Sequence, residues 1–169
     1  LTLSREAGDG VGAAAAQRLL ARLLLRIGRH ADALASLEEA LRVLPKGHTL
    51  QYAMTEQARA QALFAMGRRE EAAACVREQV IPVLEATDLF SALGGAWGLL
   101  ADFERERGNL AEAARIFREV VIPLFEREQN PRELALSATR LGDVLRSQGQ
   151  LDESLRLHRE VALPIFERL

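Results

Sequence analysis

The chain has 169 residues, 49% of them apolar, with 22 basic and 24 acidic side chains and a formal charge of -2. That length can bury a substantial core, no apolar run nears the ~18 residues of a membrane span, and neither half has the basic excess of a nucleic-acid binder: residues 1–84 carry a net +2 and residues 85–169 a net -4. One cysteine, Cys75, excludes a disulfide framework and a cysteine-built zinc site, and with no secretory pattern in the first ten residues it points to a reducing cytoplasm.

Residues 1–11 read as a linker or the frayed end of an upstream element. Apolar residues at spacings of three and four then predict helices at 12–27, 30–43, 50–65, 69–86, 90–106, 110–127, 132–147 and 151–168. Pro45 is expected to end the second helix, and Pro131 suits the first turn of the seventh. Alanine and glutamate dominate throughout, and no stretch of period two is bounded by hairpin turns, so strands are not expected.

The helices repeat in pairs. GRHADALASLEEAL, GRREEAAACVREQV, GNLAEAARIFREVV and GQLDESLRLHREVA begin at Gly28, Gly67, Gly108 and Gly149, which are 39, 41 and 41 residues apart. Pro82, Pro123 and Pro164 keep the same spacing of 41. Each glycine fits a left-handed turn that ends one helix, and acidic residues just beyond suit the start of the next. Asp32, Asn109 and Asp152 add turn or capping options there. Four helical hairpins result, in units of about 12–49, 50–89, 90–130 and 131–169, and stacking neighbours would give a continuous core.

The units share further positions: Leu20, Ala21, Leu24, Ala33 and Leu37; Leu63, Ala72 and Val76; Trp97, Leu100, Ala101, Ala113 and Phe117; Leu141, Gly142, Leu145 and Ser154. Arg59 and Ala60 stand where the second unit should have its leucine and small residue. Over residues 12–169 this pattern resembles the tetratricopeptide repeat (TPR) family. The resemblance implies an all-α fold, a right-handed α-α superhelix of four hairpins, and a protein-interaction role. The period, near 41 rather than the family's common 34, resembles long-period members in bacterial regulatory and signalling proteins. The ending IFERL reads as a cut after a second helix, so a fragment of a longer array, or one without its C-terminal cap, is expected.

The three prolines fall about four turns into the long second helices. A kink that folds Val83–Leu84, Leu124–Phe125 or Ile165–Phe166 back over a neighbour is expected, with a clean helix break as the alternative.

No catalytic constellation emerges. His30, His48 and His158 are far apart, and HExxH, CxxC, GxSxG and phosphate-cradling loops are absent. His158 takes the place of Phe117 and reads as a partly buried neutral side chain; Cys75 reads as a small core hydrophobe, and Trp97 and Phe103 as packing residues. No enzyme activity, cofactor or metal is expected.

The resemblance puts first helices on a concave binding face. Its candidates are Arg18, Arg22 and Arg26 in the first unit, Gln57, Gln61 and Phe64 in the second, Asp102, Arg105 and Glu106 in the third, and Thr139, Asp143 and Arg146 in the fourth. Arg18, Arg22 and Arg26, four apart, make a basic stripe, whose other reading is an ordinary solvated face. The family's known clamp for a terminal carboxylate would find Arg22, Gln61, Asp102 and Asp143 at its asparagine positions, and the two aspartates disfavour it. The expected partner is therefore a protein segment of mixed charge, acidic near the first unit and basic near the last two. The expected role is a scaffold or sensor module in a larger bacterial regulatory protein, with homodimer formation through exposed solenoid ends as the alternative.

Overall fold

The helical spacing becomes eight helices in the structure, a computed structural model that describes residues 2–44 and 49–169, with side chains from residue 10 onward. They are α1 (Thr2–Arg26), α2 (His30–Val43), α3 (Leu50–Ala65), α4 (69–85), α5 (Phe90–Glu106), α6 (110–127), α7 (Pro131–Ser147) and α8 (151–166). No strand occurs among the described residues, and no helix there is long and apolar enough to cross a membrane. Pro45 and His48 lie outside the described residues. The chain divides into two compact units, Leu1–Thr87 and Asp88–Leu169, each of two hairpins. In the first, α1 packs on α2 and α3, α2 on α3, and α3 on α4; in the second, α5 packs on α6, and α7 on both α6 and α8.

Each hairpin turns at its glycine. Gly28, Gly67, Gly108 and Gly149 have φ between 79° and 89°, the left-handed region that a side chain disfavours. Two backbone bonds close each turn; at the third, Asn109 N–H donates to the Glu104 carbonyl at 2.8 Å and Gly108 N–H to that of Arg105 at 3.0 Å. This nested pair satisfies carbonyls that the helix end would leave open. The capping expected of Asn109 does not form: its amide donates to the Glu104 carboxylate at 2.6 Å instead. Asp32 pairs with Arg29 at 2.6 Å. Side-chain caps appear at the entrances between hairpins, where Thr49 accepts from Tyr52 N–H at 3.2 Å and Asn130 from Glu133 N–H at 3.3 Å.

The first helix corrects the expected boundary. It begins at Thr2, so the backbone of residues 2–11 is helix and not linker, despite two glycines there, Gly8 and Gly10, that each cost about 1 kcal/mol in helix propensity. Packing explains the difference. Val11 and Ala14 join Ala40, Leu44 and Tyr52 in one apolar cluster. A Cβ on Gly10 would come within 3.4 Å of the Val43 carbonyl, so glycine here permits a close approach.

The second helices neither break nor stay purely α at their prolines. A wide π-turn precedes each: Val76–Val80 in α4, Phe117–Val121 in α6 and Leu157–Ala162 in α8. The residue just before each proline donates five residues back, Ile81 to Val76, Ile122 to Phe117 and Leu163 to His158. Backbone dihedrals stay right-handed helical across the junction, which excludes the clean break. The extra residue also resets phase. Eight residues of α-helix turn by about 800°, about 80° beyond a whole number of turns, and removing one residue's ~100° brings the face back nearly into line. Phe117, Val121 and Phe125 are all buried in α6, as are Val76, Val80 and Leu84 in α4.

Core filling follows the repeat. Leu100, Ala101, Ala113 and Phe117 are buried together in the third hairpin's sequence, as their spacing predicts. Small residues make room for rings: a Cβ on Gly94 would meet the Phe125 ring at 2.7 Å, and one on Gly142 would meet His158 Nε2 at 2.6 Å.

Candidate functional site

In the first unit, α1 and α3 leave an open groove of about 500 Å³ between their exposed faces. Arg18 and Arg22 enter it from α1 one turn apart, and Gln57 and Gln61 face them from α3 with the same spacing. Ala15, Leu19, Met54 and Ala58 supply its apolar surface. Four of the twelve sequence candidates therefore meet in one place, flanked by two exposed apolar side chains, Leu19 and Met54.

The two arginines differ. Arg18 Nη1 donates to Gln51 Oε1 at 2.7 Å and to Thr55 Oγ1 at 3.3 Å, and Thr55 Oγ1 in turn donates to the Gln51 carbonyl at 2.7 Å. Among the described residues its guanidinium bonds only neutral oxygens, and burial draws its pKa below the ordinary arginine value. Arg22 is exposed and makes no ion pair with any described residue. The groove thus offers one held and one open guanidinium, both able to accept a carboxylate in two-pronged contact. Arg26 is exposed farther along α1, and Phe64 lies half-buried under the Arg69 guanidinium, 5.9 Å from its ring centre; neither lines the groove.

The six candidates of the second unit are engaged with near neighbours. Arg105 pairs with Glu106 at 2.8 Å, and Arg146 with Asp143 at 3.1 Å. Thr139 Oγ1 donates to the Ala135 carbonyl at 2.9 Å. Asp102 is half-buried, and Arg140, which the sequence reading did not select, approaches it at 3.6 Å. Burial raises the Asp102 pKa, with Arg140 and Arg105 opposing the shift. These acids already have cations beside them.

A second polar cluster was not foreseen. Glu56 is buried, pairs with Arg59 at 2.7 Å and accepts from Cys75 Sγ at 3.0 Å, beside a cleft of about 390 Å³ that Tyr52 also lines. Burial and the Glu56 carboxylate push the Cys75 thiol up to about 12, which leaves it protonated and a poor nucleophile. The sequence signal was Arg59 itself, an arginine in a leucine position. Glu104 is a parallel case: it is buried where the other units have Leu24, Leu63 and Leu145, and Arg107 and Asn109 satisfy it at 3.0 and 2.6 Å. No group of three or more possible metal ligands occurs among the described residues.

Residues 134–163 match the sequence profile of the tetratricopeptide repeat. A comparison with curated proteins gives no match. Among solved structures, the chain is similar to a protein from Podosopora anserina described as a kinesin light chain with nearly identical TPR-like repeats. The two share 20% identity and a TM-score of 0.78 over 91% of this chain and 75% of that one. It is also similar to BtubC (BKLC) from P. vanneervenii, with 18% identity and a TM-score of 0.76 over 100% of this chain and 75% of that one. The chain carries a tetratricopeptide repeat at residues 134–163, and its fold is that of the TPR-like helical repeats.

Proposed function

We propose that the chain is a protein-interaction module whose first unit holds a partner segment in the groove between α1 and α3. Helical repeats of this kind typically bind proteins on the surfaces of successive first helices. One observation carries the choice of site: Arg22, exposed and without an ion-pair partner among the described residues, stands across from Gln57 and Gln61 with Leu19 and Met54 alongside. That chemistry suits a short segment with a carboxylate next to apolar side chains. The carboxylate takes the guanidinium, the amides bond the segment's backbone, and the apolar side chains cover Leu19 and Met54. The paired acids of α5 and α7 give a basic stretch less to bind, so the acidic half of the mixed-charge partner is the better supported. Within a larger protein such a module serves as scaffold or sensor, in a cytoplasm that keeps Cys75 reduced.

Isothermal titration with leucine-rich acidic peptides tests the site. Arg22→Glu should weaken binding by at least about tenfold, while Asp143→Arg in the other unit should leave it as in the parent. Equal affinity of the Arg22→Glu variant and the parent would refute the groove.

A further inference from the structure

We propose that the group anchoring a partner segment in the groove between α1 and α3 is a phosphorylated side chain, held by Arg18 and Arg22 together. This rests on the groove reading above and adds the chemistry of the anchor. Both walls of the groove lie within one compact unit. Arg18 and Arg22 are the charged side chains that line it, and the remaining lining is amide or apolar, with no carboxylate.

The surroundings of Arg18 set it apart. Four arginines are half-buried among the described residues: Arg18, Arg59, Arg105 and Arg107. Three of them lie on glutamates, Arg59 on Glu56 at 2.7 Å, Arg105 on Glu106 at 2.8 Å and Arg107 on Glu104 at 3.0 Å. Arg18 bonds only the neutral oxygens of Gln51 and Thr55. A cation withdrawn from water is ordinarily compensated by an anion. Here the chain supplies none among its described residues, and the groove opens beside it.

The number of charges then selects the anchor. Arg22 stands one turn from Arg18 on the same side of α1, and side chains four apart start from Cβ atoms about 5–6 Å from each other, within reach of one anion. Arg18 uses Nη1 on Gln51 and Thr55, while its Nε and Nη2 donate to no described residue. A lone carboxylate brings one charge and two oxygens, and leaves one guanidinium uncompensated. A phosphoryl ester brings nearly two charges and three acceptor oxygens on a single side chain. Two carboxylates would match the charge, but they repel each other when close, and the partner must order two side chains instead of one.

Isothermal titration with four peptides tests this. They share one leucine-flanked sequence and differ at its centre: serine, phosphoserine, glutamate, or two glutamates two residues apart. At about pH 7.5 the phosphoserine peptide should bind at least about tenfold more tightly than the glutamate peptide. At about pH 5.5, below the second phosphate pKa of about 6, its affinity should fall about fourfold while that of the glutamate peptide holds. Arginine does not titrate in that range. Arg18→Gln should remove most of the phosphoserine advantage and leave the glutamate peptide within about threefold of its affinity for the parent. Circular dichroism matching the parent confirms that the variant is folded; should it not fold, the ranking of the four peptides and its pH dependence decide instead. Equal binding of the phosphoserine and glutamate peptides, both weakened by Arg22→Glu, would overturn the phosphoryl anchor and leave the groove standing. A two-glutamate peptide that matches phosphoserine would overturn it in favour of paired carboxylates. Binding that neither Arg18→Gln nor Arg22→Glu weakens, or no binding by any of the four, would overturn the anchor and the groove together.

Discussion

Replacing Pro123 with alanine separates two accounts of the wide turn. In an uninterrupted α-helix an interior proline costs about 3 kcal/mol, through a lost hydrogen bond and a clash with the carbonyl four residues earlier. That carbonyl belongs to Glu119, and here the turn before Pro123 is wider by one residue, with Ile122 donating to Phe117. Pro123 and Glu119 are both exposed, so water can bond the carbonyl. Alanine would therefore recover little: one solvent-facing bond of about 0.5–1 kcal/mol, offset by about 0.4–1 kcal/mol because the unfolded chain becomes freer. Reverting to a regular α-helix would gain no more, because it would swing the Phe125 ring by about 100° away from the space beside Gly94. The expected change is under about 1 kcal/mol in either direction. Urea denaturation followed by circular dichroism measures it. A stabilisation of about 2–3 kcal/mol, the value for an ordinary helix interior, would show that the π-turn does not absorb the proline.

Two further outcomes follow from the core. Phe117→Ala empties a fully buried site at the start of the same turn, and should destabilise by about 3–5 kcal/mol in the same urea experiment; a midpoint equal to the parent's would contradict its placement. Cys75 makes stability depend on alkaline pH. Its folded pKa, about 12, lies above the ~8.5 of an unfolded thiol, so the native chain keeps a proton that the unfolded chain releases. Its contribution is fully present below about pH 8.5 and declines by up to about 1.4 kcal/mol per unit as pH rises toward the folded value. Cys75→Ser retains a donor for Glu56 but has no comparable ionisation, so the parent's stability should fall away from the variant's as pH is raised above 9. Parallel curves would show that the thiol is not buried as described.

The fold was legible because its signals were local and repeated. A glycine that must take φ near 80° announces a helix end by itself, and four of them at one spacing announce a hairpin series. Where a boundary depended on distant packing, the local reading failed. Glycines at 8, 10 and 12 argue against helix, yet Val11 and Ala14 are held by Ala40, Leu44 and Tyr52, from the other side of a turn. The same holds for the unglycined turn after α6: Gln129 takes φ 53°, and nothing in a glutamine predicts it. The prolines were visible as a periodic feature, but the π-turn was not. It reconciles two requirements that only the folded chain displays, namely room for the ring and burial of Phe117 and Phe125 on one side.

The candidate site was legible only by half, and charge explains why. Spacing of four put Arg18 and Arg22 on one side of α1, and the repeat register put Gln57 and Gln61 in matching places on α3; both inferences need only helix geometry. Whether a charge is available to a partner depends instead on what lies within a few ångströms in the folded chain. Asp143 and Arg146 are an i,i+3 pair and could have been read as such, but Arg140 reaches Asp102 from another helix. Glu56 and Glu104 carry the point further: both look like surface glutamates in the sequence, and both are buried with cations, a thiol or an amide around them. A lone acid in this chain is thus a poor guide to a binding surface. Arg22 is the better guide, because it is exposed, makes no ion pair with a described residue, and faces a row of amides across an open groove.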